Sequence, residues 1–283
     1  MIYQTSQNEH TQNQFSDAVK ELQIGNLLRK SNISKSCGVS AYEVFQFLLL
    51  LVFQGKNLFR FLNSKHKDQA VSKNTYYRFL NNVSFNWKKF LLLLAAKVTA
   101  VFSSLTRSER VKVLILDDSV ITRNRSKAAE LLARVYDHVT HKYQKGFTML
   151  TLGWSDGYSF VPVGFNMLSS SKPTNRYQEI SDKIDHRTNG YKARKESLLS
   201  KPEAAILLIQ RALHAGIQAD YVLMDTWFTT EPMLVQILAC GIDVIGMVKQ
   251  LKQRYSYRGK DYTLPGLRRF IRFESGKIFL VLS

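Results

Sequence analysis

Three aspartates stand directly after apolar, β-rich runs of the sequence. Asp117 and Asp118 follow Val-Leu-Ile-Leu, and Asp225 follows Val-Leu-Met about a hundred residues later. A carboxylate in such surroundings costs several kcal/mol to bury as an ion, unless it is paired or coordinates a metal. Because side chains alternate along a strand, Asp117 and Asp118 point to opposite faces, and only one of them faces a given site.

The position of these aspartates favours a metal site. Ligand sites in α/β sheets gather at the carboxyl ends of strands, and carboxylates from two neighbouring strands suit Mg²⁺, with Mn²⁺ as a substitute. Two metal ions about 3.5–4 Å apart activate a nucleophile and stabilise the leaving oxygen of a phosphodiester. The alternative is that the aspartates only close turns at strand ends, and their spacing leaves both interpretations open.

The elements that position these residues change in character along the chain. Residues 1–108 have helical patterns, with Ser72 as an N-cap before Lys-Asn-Thr-Tyr-Tyr-Arg-Phe-Leu. From Val111 onward β-rich runs predominate, the first of them ending at the two aspartates. Further strands alternate with two helices, after a polar stretch at 169–201 without clear periodicity. We therefore predict a mixed α/β fold preceded by an N-terminal helical domain.

The charge of the chain favours a nucleic-acid partner. Forty Lys and Arg against 22 Asp and Glu give a net charge of +18, and the excess is present in both the N-terminal and the C-terminal part. A charged surface that serves solubility alone is the alternative. Two cysteines provide neither a disulfide framework nor a four-ligand zinc site. Because the longest apolar run, Val44–Phe53, is about half a membrane span, we expect a cytoplasmic protein without a membrane partner.

The segment that begins LDDSVITRNRSK, followed by YVLMDTWF, resembles bacterial insertion-sequence transposases with a ribonuclease-H-like DDE core. In that family the first aspartate precedes Ser or Thr at the end of the first strand, which corresponds to Asp118. The second lies in an Asp-Ser/Thr-Trp-Phe-like motif, which corresponds to Asp225. The resemblance implies that both residues are catalytic and hold Mg²⁺. It also implies a ribonuclease-H-like mixed sheet flanked by helices at 109–248, and the start of a β-rich insertion at 249–283.

The activity implied by this resemblance is DNA transposition. Mg²⁺-dependent hydrolysis would free the ends of the element, and strand transfer would join them to target DNA. Double-stranded DNA is then the partner, bound by a homodimer. Two alternatives stay open: a transposase remnant that binds DNA without catalysis, and a ribonuclease-H-like nuclease unrelated to transposition.

The same family has a third carboxylate, a glutamate on a helix beyond the insertion, and no matching stretch follows here. Only Asp261 and Glu274 come after Asp243, and Glu274 has the context of a turn residue. The sequence ends within an apolar run, which leaves a hydrophobic strand edge. We therefore expect a truncated or interrupted transposase, with its glutamate helix encoded downstream or lost and its catalysis impaired.

Two groups of polar residues are candidates for DNA contact. The first opens the helix after Ser72, where Lys73, Asn74 and Arg78 suit a recognition helix, although a purely structural bundle fits equally well. The second group lies among aromatic residues in the last strands and suits a surface that follows phosphates, with a solvated basic face as the alternative. Its members are Arg254, Arg258, Arg268 and Arg269.

Overall fold

A computed structural model describes residues 15–64, 70–106, 109–248, 254–263 and 265–267. In chain order its elements are α1 (15–21), α2 (Ile24–Lys30), α3 (Ala41–Phe53), α4 (Leu58–Leu62), α5 (Lys73–Leu80), α6 (Trp87–Leu105), β1 (Val113–Thr122), β2 (Ala133–Asp137), β3 (Lys142–Ser155), β4 (Phe160–Leu168), α7 (Asn189–Glu196), α8 (Lys201–His214), β5 (Tyr221–Met224), α9 (Glu231–Ala239), β6 (Asp243–Gly246), β7 (Arg254–Tyr257) and β8 (Lys260–Thr263). None of the helices in these ranges is long and apolar enough to cross a membrane.

Helices α1 to α6 pack around an aromatic core. The rings of Phe79 and Phe85 both contact the indole of Trp87 in edge-to-face geometry, with centroid distances of 5.5 and 6.0 Å. Helix α6 belongs to two cores, because its Phe90 packs among these helices while Ala95 packs against the sheet. The predicted N-terminal helical region is confirmed, and α6 joins it to the rest of the chain.

The sheet mixes parallel and antiparallel strands. Its order is β2-β3-β1-β5-β6, and β4 also pairs with β3. The pairs β1/β5 and β5/β6 are parallel, whereas β3 is antiparallel to each of its neighbours. Helices α6, α8 and α9 contribute Ala95, Ile209 and Ile237 to the core that contains Leu114 and Leu116 of β1. The predicted mixed α/β fold is therefore confirmed.

Strand β1 departs from the prediction, because it does not end at the aspartates. It continues to Thr122, and its partner β3 accompanies it as far as Gly146. Only the parallel pairing with β5 stops early, at Leu116 and Met224. The long antiparallel partner supplies backbone hydrogen bonds past the end of β5, so Asp117 and Asp118 lie within a strand rather than at its end.

Two elements are absent from the sequence-based prediction. Strand β2 is short and occupies the stretch between Thr122 and Gly146. Helix α7 lies inside the polar stretch 169–201, and its cap is Thr188, whose side chain accepts a hydrogen bond from the backbone of Tyr191. Helix α7 buries none of its residues, which explains why no apolar periodicity marks it.

Gly146 lies where three strands approach each other closely. It pairs with Thr122 of β1 and Ala133 of β2, and a Cβ atom there would stand 2.2 Å from the carbonyl oxygen of Ile121. We expect Gly146→Ala to lower the free energy of unfolding by about 2–3 kcal/mol, because the backbone must shift. Urea denaturation measures the change.

Gly25 provides the matched control, since a Cβ atom there meets only the ring of Tyr42 at 3.4 Å. Gly25 lies inside helix α2, where Gly→Ala changes favour folding by about 0.5–1 kcal/mol. Equal stability of the Gly146→Ala protein and the wild type would contradict the close approach of β1 and β3.

An ion-pair network of partly buried side chains connects α6 with α7 and α8. Glu196 accepts hydrogen bonds from Lys88 at 2.8 Å and from Arg211 at 2.6 Å, and Lys88 also donates to Asn166 at 3.0 Å. Burial raises the pKa of Glu196, but the hydrogen bonds from Arg211 and Lys88 outweigh that effect and lower the pKa to about 2. The network therefore holds a charged carboxylate between the helical region and the sheet.

Candidate active site

Asp118 lies on the core-facing side of β1, the side that also carries Leu114 and Leu116. Its carboxylate accepts a hydrogen bond from Lys201 Nζ at 2.9 Å, and its side chain is 18% exposed. Lys201 is the first residue of α8, directly after the cap residue Ser200. A half-buried carboxylate thus stands next to a cation at the beginning of a helix.

Asp225 is the first residue after β5, where it caps a turn. Its Oδ1 accepts hydrogen bonds from the backbone N–H groups of Trp227, at 2.9 Å, and Phe228, at 3.4 Å. Phe228 is buried in the core and anchors the turn. Within the described ranges Oδ2 of Asp225 receives no hydrogen bond. Asp225 therefore does stabilise a turn, as one of the two interpretations of the sequence held. Its second carboxylate oxygen stays available to bind a metal ion.

The two aspartates lie just beyond the end of the parallel pairing between β1 and β5. Leu116 and Met224 form the last parallel pair between β1 and β5. Asp118 comes two residues after Leu116, and Asp225 comes directly after Met224. Neighbouring strands lie about 4.8 Å apart. Lys201 connects the two segments, because its Nζ is 2.9 Å from Asp118 and 4.3 Å from the ring centre of Trp227.

Asp117 has the opposite orientation. Its side chain is exposed, whereas the Leu residues beside Asp118 are buried, as alternation along a strand requires. Asp117 Oδ1 accepts a hydrogen bond from the backbone N–H of Asp118 at 2.8 Å. The side chain that contacts Lys201, and through it the Trp227 turn, is therefore that of Asp118.

The donor chemistry of this site fits a divalent metal ion. Carboxylate oxygens are the preferred ligands of Mg²⁺ and Mn²⁺, and the Lys201 ammonium at Asp118 marks a position that already accommodates positive charge. No group of three or more His, Cys, Asp or Glu suited to a metal occurs in the part of the chain that the structure describes. Asp261 lies in β8, and Glu274 lies outside the described residues.

The other predicted site residues occupy separate elements. Lys73, Asn74 and Arg78 are exposed on α5, whose Tyr76 and Phe79 are buried in the helical core. The residues Arg254 and Arg258 are exposed in the hairpin of β7 and β8, while Arg268 and Arg269 lie outside the described residues. Their roles in DNA contact stay predictions.

Lys201 was not identified from the sequence, although a signal for it existed. Pro202 marks the first turn of a helix, and the positive end of the helix dipole disfavours a lysine in that turn. A nearby carboxylate offsets this cost, and here Asp118 supplies it. Only the fold brings these two residues together, because 83 positions separate them in sequence.

Comparison with known proteins gives a family and distant similarity to solved structures. A family model for the DDE superfamily endonucleases matches residues 48–258. No curated protein matches the chain. Among solved structures, the strand transfer complex of the Drosophila P element transposase is similar with a TM-score of 0.35 and 9% sequence identity. That match covers 91% of this chain and 55% of the other, so the chain spans about half of its length.

Proposed function

Because the chain belongs to the DDE superfamily of endonucleases, we propose that it is a DNA transposase whose Asp118 and Asp225 hold Mg²⁺. Endonucleases of this superfamily use divalent metal ions, and the predicted relation to a DDE core is confirmed at that level. The observation that carries the proposal is the lysine link between Asp118 and the turn of Asp225 at the end of the β1/β5 pair. We also propose that an insertion sequence encodes this transposase.

The residues of the site would have separate roles in metal binding, positioning and charge balance. Asp118 and the free oxygen of Asp225 would hold the metal ion, which when bound lowers the pKa of an attacking water and stabilises the leaving oxygen. The buried ring of Phe228 keeps the Asp225 turn in place. Lys201 balances the charge of Asp118 and would provide a cation beside a phosphate oxygen of the substrate.

The reaction proposed is hydrolysis followed by strand transfer. Water attacks a phosphodiester at the element's end, the P–O3′ bond breaks, and a 3′-hydroxyl and a 5′-phosphate result. That 3′-hydroxyl then attacks a phosphodiester of the target, forming one new P–O bond while releasing one target 3′-hydroxyl. No external oxidant or energy source is required, since each step exchanges one phosphoester bond for another bond at phosphorus.

DNA binding would involve the regions outside this site. We assign 1–108 as a DNA-binding module, 109–248 as the catalytic core and 249–283 as the start of an insertion, in a protein that acts in the cytoplasm as a homodimer on DNA. The exposed Lys73, Asn74 and Arg78 support the first assignment. The charge of +18 supports contact with the phosphates of the element's ends and of the target.

The test uses the DNA that flanks the gene. Terminal inverted repeats are sought in the flanks, and duplexes that carry them are compared with unrelated duplexes for binding and for cleavage in Mg²⁺, Mn²⁺ or EDTA. We expect preferential binding of the repeats and metal-dependent cleavage at their ends. Cleavage without preference for the repeats would favour the unrelated nuclease. Preferential binding without cleavage in either metal would favour the DNA-binding remnant.

A further inference from the structure

A two-stranded ribbon extends beyond the main sheet. It comprises residues 133–146, in which β2 pairs with the first part of β3, from Ala133↔Gly146 to Asp137↔Lys142. Strand β1 pairs with β3 only from Gly146 onward. Among the described strands, residues 134–137 and 142–145 therefore pair only with each other, and they project past the end of β1.

Hydrogen bonds fix the ribbon at its tip and at its base. At the tip the Asp137 carboxylate accepts from the backbone N–H of Val139 at 2.9 Å and from the Thr140 hydroxyl at 2.7 Å. At the base Arg123 N–H donates to the carbonyl of Lys145 at 2.6 Å, and Lys145 N–H donates to the side chain of Asn124 at 3.1 Å. The ribbon is thus a preformed projection.

One face of the ribbon carries tyrosines and cations. Tyr136 and Tyr143 are cross-strand partners with ring centres 5.2 Å apart, and they are 38% and 60% exposed. Arg134 stacks over the Tyr143 ring at 4.0 Å. Its own cross-strand partner Lys145 lies 4.7 Å from the centre of the Tyr177 ring. Cross-strand partners share a face, so these groups form one surface.

The charge of this region is strongly positive. Residues 123–145 include six Lys and Arg and two acids, Glu130 and Asp137. Glu130 forms an ion pair with Arg194, and Asp137 caps the tip. Neither acid therefore neutralises Arg134 or Lys145, and the exposed face is complementary to a polyanion.

We propose that the ribbon is a contact for double-stranded DNA, an inference that rests on the proposed function. The major groove of B-DNA is about 12 Å wide and admits a two-stranded β-ribbon. Arg134 and Lys145 would contact phosphates, and the two tyrosines would supply flat, amphipathic contact area against sugars and base edges.

The register of β3 gives the distance between the DNA contact proposed at the ribbon and the cleavage site proposed at Asp118. Asp118 pairs with Leu150 of β3, seven residues after Tyr143. At about 3.3 Å per residue the separation is roughly 23 Å, or about seven base pairs of DNA. The ribbon would therefore contact DNA that flanks the cleaved phosphodiester.

Fluorescence anisotropy with a labelled duplex in EDTA tests the proposal, because it measures DNA binding apart from the metal site. We expect the double variant Arg134→Ala/Tyr143→Ala to bind about tenfold more weakly than the wild type. Arg134→Ala alone should reduce the slope of log affinity against log salt by about 0.9 if it removes one phosphate contact. Tyr143→Phe keeps the ring and should lose less affinity than Tyr143→Ala.

Tyr158→Ala is the matched control. Tyr158 is 85% exposed and Arg110 stacks over its ring at 4.3 Å, but Arg110 is neutralised by Asp156. Tyr158 also lies just past the opposite end of β3 from Tyr143. We expect its removal to leave DNA affinity unchanged, and circular dichroism with thermal unfolding verifies that every variant is folded.

The outcomes separate this inference from the proposed function. Wild-type affinity and salt slope in the folded double variant would overturn the ribbon contact and leave the metal site untouched. An equal loss of affinity in Tyr158→Ala would also overturn it, because the effect would not be local to the ribbon. A wild-type chain that binds no duplex DNA would overturn the ribbon contact and the proposed function together.

Discussion

Asn in place of Asp118 or Asp225 is expected to weaken the binding of Mn²⁺ or Mg²⁺ by about 100-fold or more, and to reduce metal-dependent DNA cleavage at least as much. The substitution removes the negative charge of a metal ligand and retains its size. At position 225 the amide oxygen of Asn still accepts the hydrogen bonds from Trp227 and Phe228 that Asp225 accepts. The turn is thereby preserved, and the experiment separates the metal role from the turn role.

Isothermal titration calorimetry of the metal ion measures this effect directly, with DNA cleavage as the second readout. Asp117→Asn is the matched control, since its side chain is exposed on the opposite face of β1, and it should bind metal nearly as the wild type does. Equal metal affinity in the wild type, Asp118→Asn and Asp225→Asn would contradict the assignment. A larger loss for Asp117→Asn than for Asp118→Asn would transfer the role to Asp117.

Glu196→Gln is expected to lower the free energy of unfolding by about 3 kcal/mol at pH 7. The variant leaves Lys88 and Arg211 without the carboxylate that they share, and Lys88 is only 21% exposed. Urea denaturation of the wild type and the variant gives the difference. Asp185→Asn is the control, because it breaks an ion pair in which Arg187 is 90% exposed, and such pairs contribute little.

The difference between wild type and Glu196→Gln should depend on pH. The pKa of Glu196 is about 2 in the folded protein, against an ordinary value of 4.5. A lowered pKa means that the carboxylate stabilises the fold fully above pH 4.5 and loses this contribution as the pH falls toward 2. The two proteins should therefore converge in acid. A difference that stays constant from pH 7 to pH 3 would contradict the charged network.

Local patterns predicted much of the fold. Pro202 marks the first turn of α8, and the structure adds a cap at Ser200 and a capping box with Glu203. Strand β5 ends one residue before Asp225, as its apolar run indicated. These elements have strong local signals, and their tertiary contacts agree with them.

The remaining features depend on contacts that are distant in sequence. Strand β1 extends past Asp118 because β3 accompanies it to Gly146, and no pattern within β1 records the length of its partner. The pairing of Lys201 with Asp118 likewise exists only in the folded chain. The sequence therefore predicted Asp118 and Asp225 as site residues. Only the fold shows that Lys201 connects Asp118 to the turn of Asp225.

We propose that Asp118 and Asp225 together hold a divalent metal ion. The most direct measurement is a crystal structure of the chain grown with Mn²⁺, with anomalous diffraction data that locate manganese. We expect an anomalous peak within about 2.0–2.3 Å of carboxylate oxygens of both residues, with Lys201 Nζ displaced from Asp118. A well-ordered site without an anomalous peak at saturating Mn²⁺, or a peak bound to Asp117 and not to Asp118, would contradict it.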